Sequence, residues 1–130
     1  MPVQRDVEKV EEVYRAFKKR DMAAILMLMD QDVEIAQSPE LPWGGIHRGH
    51  DGLKQFLTRL AEHLDNRLNV ECIIDAGQQV VAVGRTAGKV RSTGLEFDIP
   101  FAHVWTLREG EIVRFEPYID NPTMLAALGR

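Results

Sequence analysis

The sequence predicts an α+β fold, in which three helices from the N-terminal half cover a curved antiparallel sheet and form a conical pocket with it. In the first half, apolar residues recur every three or four positions, which is typical of amphipathic helices. In the second half, apolar and polar residues alternate between short turn sequences, which indicates β-strands. No repeat, low-complexity tract or linker divides the chain, so we expect one domain over residues 1–130.

Each predicted helix has its own apolar stripe. The first stripe comprises Val3, Val7, Val10, Val13, Tyr14 and Phe17. Asp21 has the side chain of an N-cap residue, and the short helix after it carries Ile25, Leu26, Leu28 and Met29. A third helix starts near Asp51 and carries Leu53, Phe56, Leu57, Leu60 and Leu64.

The predicted strands are joined by sequences rich in turn-forming residues. A short strand at 32–37 precedes a loop at 38–49 that contains two prolines and three glycines. Four strands are predicted at 68–75, 79–91, 95–107 and 112–119, and a tail at 122–128 has room for one or two helical turns. These four strands supply most of the sheet.

The two central strands of the second half indicate a small-molecule cavity. The odd positions of 95–107 are apolar except for His103, so this face points into the core. The facing even positions of 79–91 include two glycines and an alanine, and interiors are close-packed. Either a helix lies very close to these small residues or a cavity opens there. A cavity walled by Ile35, Phe101 and Trp105, with one histidine, is typical of a ligand site.

Composition excludes several functional classes. The chain has 16 basic and 20 acidic residues, a net charge of −4, and is therefore a poor candidate for binding nucleic acid or an anionic membrane. Cys72 is the only cysteine, which excludes an internal disulfide and a cysteine-rich zinc site. The longest apolar run is too short to cross a bilayer, and residues 1–10 lack the apolar region of a signal peptide, so we expect a cytoplasmic protein.

Three segments resemble one superfamily over nearly the whole chain. YRAFKKRDMAAILMLMDQDVEI and GGIHRGHDGLKQFL resemble the opening elements of nuclear transport factor 2-like proteins. FAHVWTLREGEIVRF, followed by YID and LAALG, resembles the closing hairpin and tail of SnoaL-like polyketide cyclases and of proteins related to ketosteroid isomerase. The resemblance implies a curved sheet and three helices around a conical pocket, commonly in a dimer.

The resemblance also implies positions for the chemistry, although the residue types differ. The acidic residue in the third strand of the cyclases falls on His103 here. The general-base aspartate of ketosteroid isomerase falls on Gln37, and its tyrosine falls on Val13 or Tyr14. Steroid isomerisation by the known mechanism is therefore disfavoured, and the Asp-Arg-Asp arrangement of epoxide hydrolases has no clear counterpart.

His103 is the main catalytic candidate, because an imidazole of near-neutral pKa can exchange a proton beside a carbonyl group. The alternative is a core histidine bonded to a backbone carbonyl or a tyrosine hydroxyl. Gln37 and Tyr14 are candidates for orienting a substrate oxygen, against solvent-exposed and core alternatives. The predicted ligand-binding residues are Ile35, Trp43, Phe56, Phe101, Trp105 and Phe115.

Two local ambiguities accompany these candidates. His47, His50 and Asp51 invite a metal interpretation, but they fit a helix start better, and we predict no metal site. Either Phe115 or Glu116 faces inward in the last strand, and a bulge at Gly110 would turn Phe115 in. We favour that bulged register.

The leading hypothesis is a small-molecule enzyme that performs cofactor-free acid/base chemistry on a hydrophobic carbonyl compound. The reaction would be an isomerisation, a cyclisation or a dehydration. The alternative is a non-catalytic ligand-binding or dimerisation module of the same fold, which the missing aspartates support. A protein–protein adaptor is a third and weaker hypothesis. A homodimer through the outer face of the sheet is expected for all three.

Overall fold

The computed structural model describes residues 2–130, with side chains from residue 5 onward, so the predicted stripe position Val3 lies outside the described side chains. The elements in chain order are α1 (Pro2–Lys18), α2 (Met22–Met27), β1 (Met29–Gln37), β2 (Gly45–Arg48), α3 (Gly49–His63), β3 (Leu64–Ala76), β4 (Gln79–Val90), β5 (Glu96–Arg108), β6 (Glu111–Ile119) and α4 (Asn121–Ala127). Within residues 2–130, no helix is both long and apolar enough to span a bilayer.

The strands form one sheet in the order β2-β1-β6-β5-β4-β3, which confirms the α+β class. The sheet is mixed rather than purely antiparallel, because β1 and β6 run parallel while the other neighbours are antiparallel. No hairpin joins β1 to β6, so chain connectivity does not require these two strands to run in opposite directions. The edges β2 and β3 do not pair, and the sheet is therefore open.

Capping and alternation explain the element boundaries. The Asp21 side chain accepts a hydrogen bond from the Ala24 amide, as the predicted cap requires, and Asp120 caps α4 in the same way through Thr123. Three boundaries differ clearly from the prediction. Strand β1 begins at Met29 rather than residue 32, so Met29 belongs to the strand and not to the short helix before it. Residues 45–48 of the predicted loop pair with β1 as strand β2. Strand β3 begins at Leu64 rather than residue 68, because α3 ends at His63.

The predicted inward faces of β4 and β5 are confirmed, since the odd residues from Phe97 to Leu107 and most of the even residues of β4 are buried. The explanation predicted for the small residues is wrong at Gly84 and Gly88. Neither a helix nor a cavity lies against them. A Cβ atom on Gly88 would lie 1.9 Å from the Asp65 carbonyl oxygen, and one on Gly84 would lie 2.0 Å from that of Asn69. The β3 backbone therefore fills the space that side chains would need.

A bulge in β6 determines which residues face the core. Trp105 pairs with Phe115, whereas Leu107 pairs with Ile112, so β6 carries one extra residue at Val113. Phe115 consequently points inward and is buried, and Glu116 points outward. The prediction that Phe115 faces inward is confirmed, but the bulge lies at Val113 rather than at Gly110.

We predict that Gly88→Ala destabilises the protein strongly, because the added methyl group would overlap the Asp65 carbonyl group on the neighbouring strand. Overpacking of this kind costs about 1–3 kcal/mol or more. Gly77→Ala is the matched control, since a Cβ atom there meets nothing within 4 Å and only the positive φ of 78° adds strain. Urea denaturation would compare the two. If Gly88→Ala lowers the free energy of unfolding no more than Gly77→Ala does, the close approach of β3 to Gly88 is contradicted.

Candidate functional site

Helices α1, α2 and α3 enclose a cavity of about 80 Å³ against the inner face of the sheet. We call it the inner cavity. Most of its wall is apolar, including Val13, Phe17, Ile25, Leu53, Leu57 and Met124. Few of the described residues that line it are polar, namely Tyr14, Gln37, Asn66, Thr86 and His103, and Trp43 and Trp105 also belong to its wall. An apolar pocket with a few polar groups is the usual form of a small-molecule site.

A chain of hydrogen bonds joins α1 to β5 at the wall of the inner cavity. The Trp105 Nε1–H donates to the Tyr14 hydroxyl oxygen at 3.0 Å, and the Tyr14 hydroxyl lies 2.6 Å from Nδ1 of His103. Tyr14 lies on the inner stripe of α1, whereas His103 and Trp105 are inward-facing neighbours on β5. The sequence predicted all three residues as site candidates, and the structure brings them together.

The direction of these bonds determines the histidine tautomer. If Tyr14 donates to Nδ1, the network leaves one polar group without a partner, namely the N–H on Nε2 of His103. If Nδ1–H donated instead, both the tyrosine proton and Nε2 would lack partners. The first arrangement satisfies more groups, so the imidazole carries its proton on Nε2. No fully buried side-chain nitrogen or oxygen of the described residues lacks a partner, so Nε2 keeps some accessible surface, and His103 is one of the residues that line the inner cavity.

Aromatic rings surround His103 and keep its imidazole uncharged. Phe101 stacks on it with ring centroids 4.1 Å apart, and Phe115 meets it edge-on at 5.0 Å. This burial lowers the pKa of His103 from 6.5 to about 3. Burial also raises the pKa of the Tyr14 hydroxyl, an effect that the Trp105 hydrogen bond partly offsets. The expected near-neutral pKa of His103 is wrong, because the protein removes the water that would solvate an imidazolium.

The structure places the other predicted ligand-binding residues in two groups. Trp43, Phe56, Trp105 and Phe115 line the inner cavity. Ile35 is fully buried beside it and Phe101 lies behind His103, so neither forms part of the cavity surface as predicted. Trp43 is 1% exposed, and it therefore acts as a wall of the cavity rather than as a cover at its mouth.

Gln37 ends β1 and its side chain lines the inner cavity, as the sequence predicted. Two further polar residues were missed. Asn66 on β3 donates from Nδ2 to the hydroxyl oxygen of Thr86 at 3.1 Å, and both line the same cavity. The alternation of Leu64, Asn66 and Leu68 was the available signal, but the prediction began this strand only at residue 68.

The remaining histidines have structural partners. His47 donates from Nε2 to the carbonyl groups of Trp43 and Gly44, each at 3.1 Å, and so holds the loop before β2. His50 donates to the Met29 carbonyl at 3.1 Å, and His63 donates to that of Arg59 at 2.8 Å. His103 differs from them because its partner is a side chain and its second nitrogen faces a cavity.

Comparison with known proteins agrees with this fold. The family model for the SnoaL-like domain matches residues 10–115, which confirms the resemblance found in the sequence. No curated protein sequence matches the chain.

Three solved structures share the fold over almost the whole chain. An NTF2-like protein of unknown function from Burkholderia pseudomallei has 27% identity and a TM-score of 0.90, covering 97% of this chain and 98% of its own. An NTF2-like protein from Burkholderia thailandensis has 30% identity and a TM-score of 0.88, covering 95% and 96%. TerC, co-crystallised with polyporic acid, has 29% identity and a TM-score of 0.87, covering 97% and 99%.

We predict that His103 makes the protein less stable as the pH falls from about 6.5 towards 3. In that window the unfolded chain binds a proton on this histidine, whereas the folded state, with a pKa of about 3, does not. The free energy of unfolding should then fall by up to about 1.4 kcal/mol per pH unit from this group. Urea denaturation at several pH values would show a shallower dependence for His103→Gln than for the wild type.

The partly exposed His63 is the matched position for this experiment, and His63→Gln controls for the loss of a histidine as such. A pH dependence that is the same in His103→Gln and in the wild type would contradict the burial of an uncharged imidazole.

Proposed function

The chain belongs to the SnoaL-like domain family, and from this premise we propose that it binds a small hydrophobic carbonyl compound in the inner cavity and acts on it without a cofactor. The observation that carries the proposal is the Nε2–H group of His103, a residue of the apolar cavity wall, which has no partner among the described residues. A carbonyl oxygen is the ligand group that satisfies such a donor. The apolar walls would hold the rest of the ligand.

The chemistry of this donor follows from its low pKa. A neutral imidazole in a desolvated site can polarise a carbonyl group and stabilise an enolate oxygen by hydrogen bonding. Tyr14 would be a positioning residue, because its bond to Nδ1 holds the proton on Nε2. The Gln37 amide at the cavity wall would supply a second hydrogen bond to the substrate. Isomerisation, cyclisation and dehydration all pass through an enolate that this arrangement would favour.

The residues that line the inner cavity favour one kind of carbonyl substrate over others. Of the described residues that line the inner cavity, none is a carboxylate, and His103 is too weakly basic at neutral pH to remove a proton efficiently. We therefore favour a substrate whose carbon acid is already activated, such as a 1,3-dicarbonyl compound. Its proton would pass to water or to another oxygen of the substrate.

The absence of a carboxylate from the described cavity wall also supports the alternative, a non-catalytic ligand-binding module. The two functions differ in one measurable respect. An enzyme of the proposed type would accelerate deuterium exchange at the central carbon of 1-phenylbutane-1,3-dione, whereas a binding module would bind the compound without changing that rate. The relative TerC, co-crystallised with polyporic acid, supports small-molecule binding in either case.

We predict that the wild-type protein binds acetophenone more tightly than ethylbenzene, which has a similar shape and no carbonyl group. One neutral hydrogen bond to a buried donor contributes about 1 kcal/mol, so the preference should be roughly fivefold. Quenching of tryptophan fluorescence would measure both affinities, because Trp43 and Trp105 line the cavity.

His103→Phe should abolish this preference while leaving ethylbenzene binding in place, because phenylalanine keeps an aromatic ring at the site and removes the donor. Tyr14→Phe should reduce the preference, because the tautomer is then no longer held. Equal affinities of the wild type for acetophenone and ethylbenzene would contradict the proposed role of His103.

The cytoplasmic location expected from the sequence stays a prediction. We also propose that the protein forms a homodimer through the outer face of its sheet. Val81 pairs with Val104, and Val83 pairs with Ala102, on the face opposite the helices. All four side chains are only partly buried, although they are apolar. Such a patch, bordered by charged residues of the same strands, is the kind of surface that a second copy would cover.

We predict an apparent mass near twice the monomer mass of 14.8 kDa in analytical ultracentrifugation. Val104→Asp should shift the protein towards the monomer, because it places charge in the centre of the apolar patch. Thr58→Asp adds the same charge on the exposed surface of α3 and should leave the mass unchanged. A wild-type protein that sediments as a monomer at all concentrations would exclude the dimer.

A further inference from the structure

A second cavity, of about 330 Å³, adjoins the inner cavity on the side of α2 and the start of β3. We call it the vestibule. The residues that line both cavities are Phe17, Ile25, Leu57, Leu60, Leu64 and Asn66. The two cavities are therefore neighbours that share one wall. Its remaining wall differs in chemistry, because it includes Arg20, Arg91 and Asp65.

Arg20 occupies a backbone position that normally favours glycine. The Arg20 amide donates to the Phe17 carbonyl and the Asp21 amide to that of Ala16, each at 2.9 Å, which ends α1 in a Schellman motif. Arg20 has the left-handed φ of 55° that this motif requires. An arginine is strained there, whereas a glycine is not. A strained residue with a long charged side chain at a cavity suggests a role for that side chain.

Neighbouring groups hold the Arg20 guanidinium over the vestibule. It lies 4.4 Å from the centre of the Phe17 ring and donates one hydrogen bond to the Asn66 carbonyl group. Phe17 and Asn66 both line the vestibule and the inner cavity. The cation therefore lies beside the wall that the two cavities share.

Arg91 is held in a similar way on the other wall. Its Nε–H donates to the Ala61 carbonyl group at 2.7 Å, which anchors the guanidinium between β4 and α3. Among the ion pairs formed by the described side chains, none involves Arg20 or Arg91. Each guanidinium thus keeps N–H donors that no carboxylate of the described chain neutralises. Two such cations at one opening are unusual in a chain whose net charge is −4.

We propose that the vestibule binds the carboxylate of an amphipathic acid, with Arg20 and Arg91 as the anchors, while the apolar part of the acid fills the inner cavity. This inference rests on the proposed function, whose substrate class it narrows from a hydrophobic carbonyl compound to a keto acid. Guanidinium groups match carboxylates in geometry and in charge. Asp65 on the same wall repels a second anionic group, which favours a monoacid.

The test compares two ligands that differ in charge and by one methyl group. 4-Oxo-4-phenylbutanoate has an aryl ketone for His103 and a carboxylate for the vestibule, and its methyl ester lacks the negative charge. We expect the wild type to bind the acid about tenfold more tightly than the ester at low salt, with a smaller ratio at high salt. Titration by tryptophan fluorescence measures both affinities.

Variants assign the preference to particular residues. Arg20→Gln and Arg91→Gln should each reduce the ratio of acid to ester affinity, and the double variant should bring it close to one. Arg15→Gln removes an exposed arginine of α1 that lines neither cavity, and it should leave the ratio unchanged. Arg20→Gly shows that any loss is not a folding defect, because glycine suits the backbone at this position.

The outcomes separate this inference from the proposed function. Equal binding of acid and ester in the wild type, or an acid preference that survives in the double variant, would overturn the carboxylate site. If the acid preference depends on the arginines but His103→Phe binds both ligands normally, the carboxylate site is supported and the proposed role of His103 fails. Failure of both ligands to bind would overturn the carboxylate site as well.

Discussion

The hydrogen-bond chain from Trp105 through Tyr14 to His103 is the interaction on which the site depends. It crosses from β5 to α1, and so it ties the first helix to the centre of the sheet. All three rings are largely removed from water, so the polar groups that face one another between them must bond to one another. This requirement orients the tyrosine proton, the tautomer of the histidine and the direction of its remaining N–H group. The same two hydrogen bonds therefore fix both the packing of α1 against β5 and the direction of the His103 donor.

The distribution of charge along the path into the protein is consistent with one elongated ligand. Charged groups are confined to the vestibule, where Arg20 and Arg91 are exposed enough to keep their hydration until a ligand arrives. The polar groups that the described residues bring to the inner cavity are all neutral, and the desolvation that lowers the pKa of His103 would penalise any other isolated charge there. A molecule with an acidic end and an apolar end that contains a carbonyl group would meet each environment with matching chemistry.

The fold alone does not decide this chemistry. The SnoaL-like domain supplies a curved sheet and covering helices, and this superfold hosts different activities. In the resemblance noted from the sequence, an acidic residue occupies the strand position that holds His103 here. A carboxylate at that position can exchange protons, whereas a neutral imidazole held by a tyrosine acts mainly as a hydrogen-bond donor. The residue type at this strand position therefore decides which chemistry is available there.

The sequence by itself determined the class of the fold and the facing of its central strands. Strict alternation made His103 and Trp105 inward residues, because side chains on a strand can point only to two faces. The facing of Phe115 depended in addition on the bulge in β6. Long-range contacts decided the rest. Three features depend on residues that are distant in the chain. They are the parallel pairing of β1 with β6, the position of Asn66 in the cavity wall, and the presence of both Arg20 and Arg91 at the vestibule. The low pKa of His103 also required the tertiary structure, because burial is a property of the surroundings and is not encoded in any local pattern of residues.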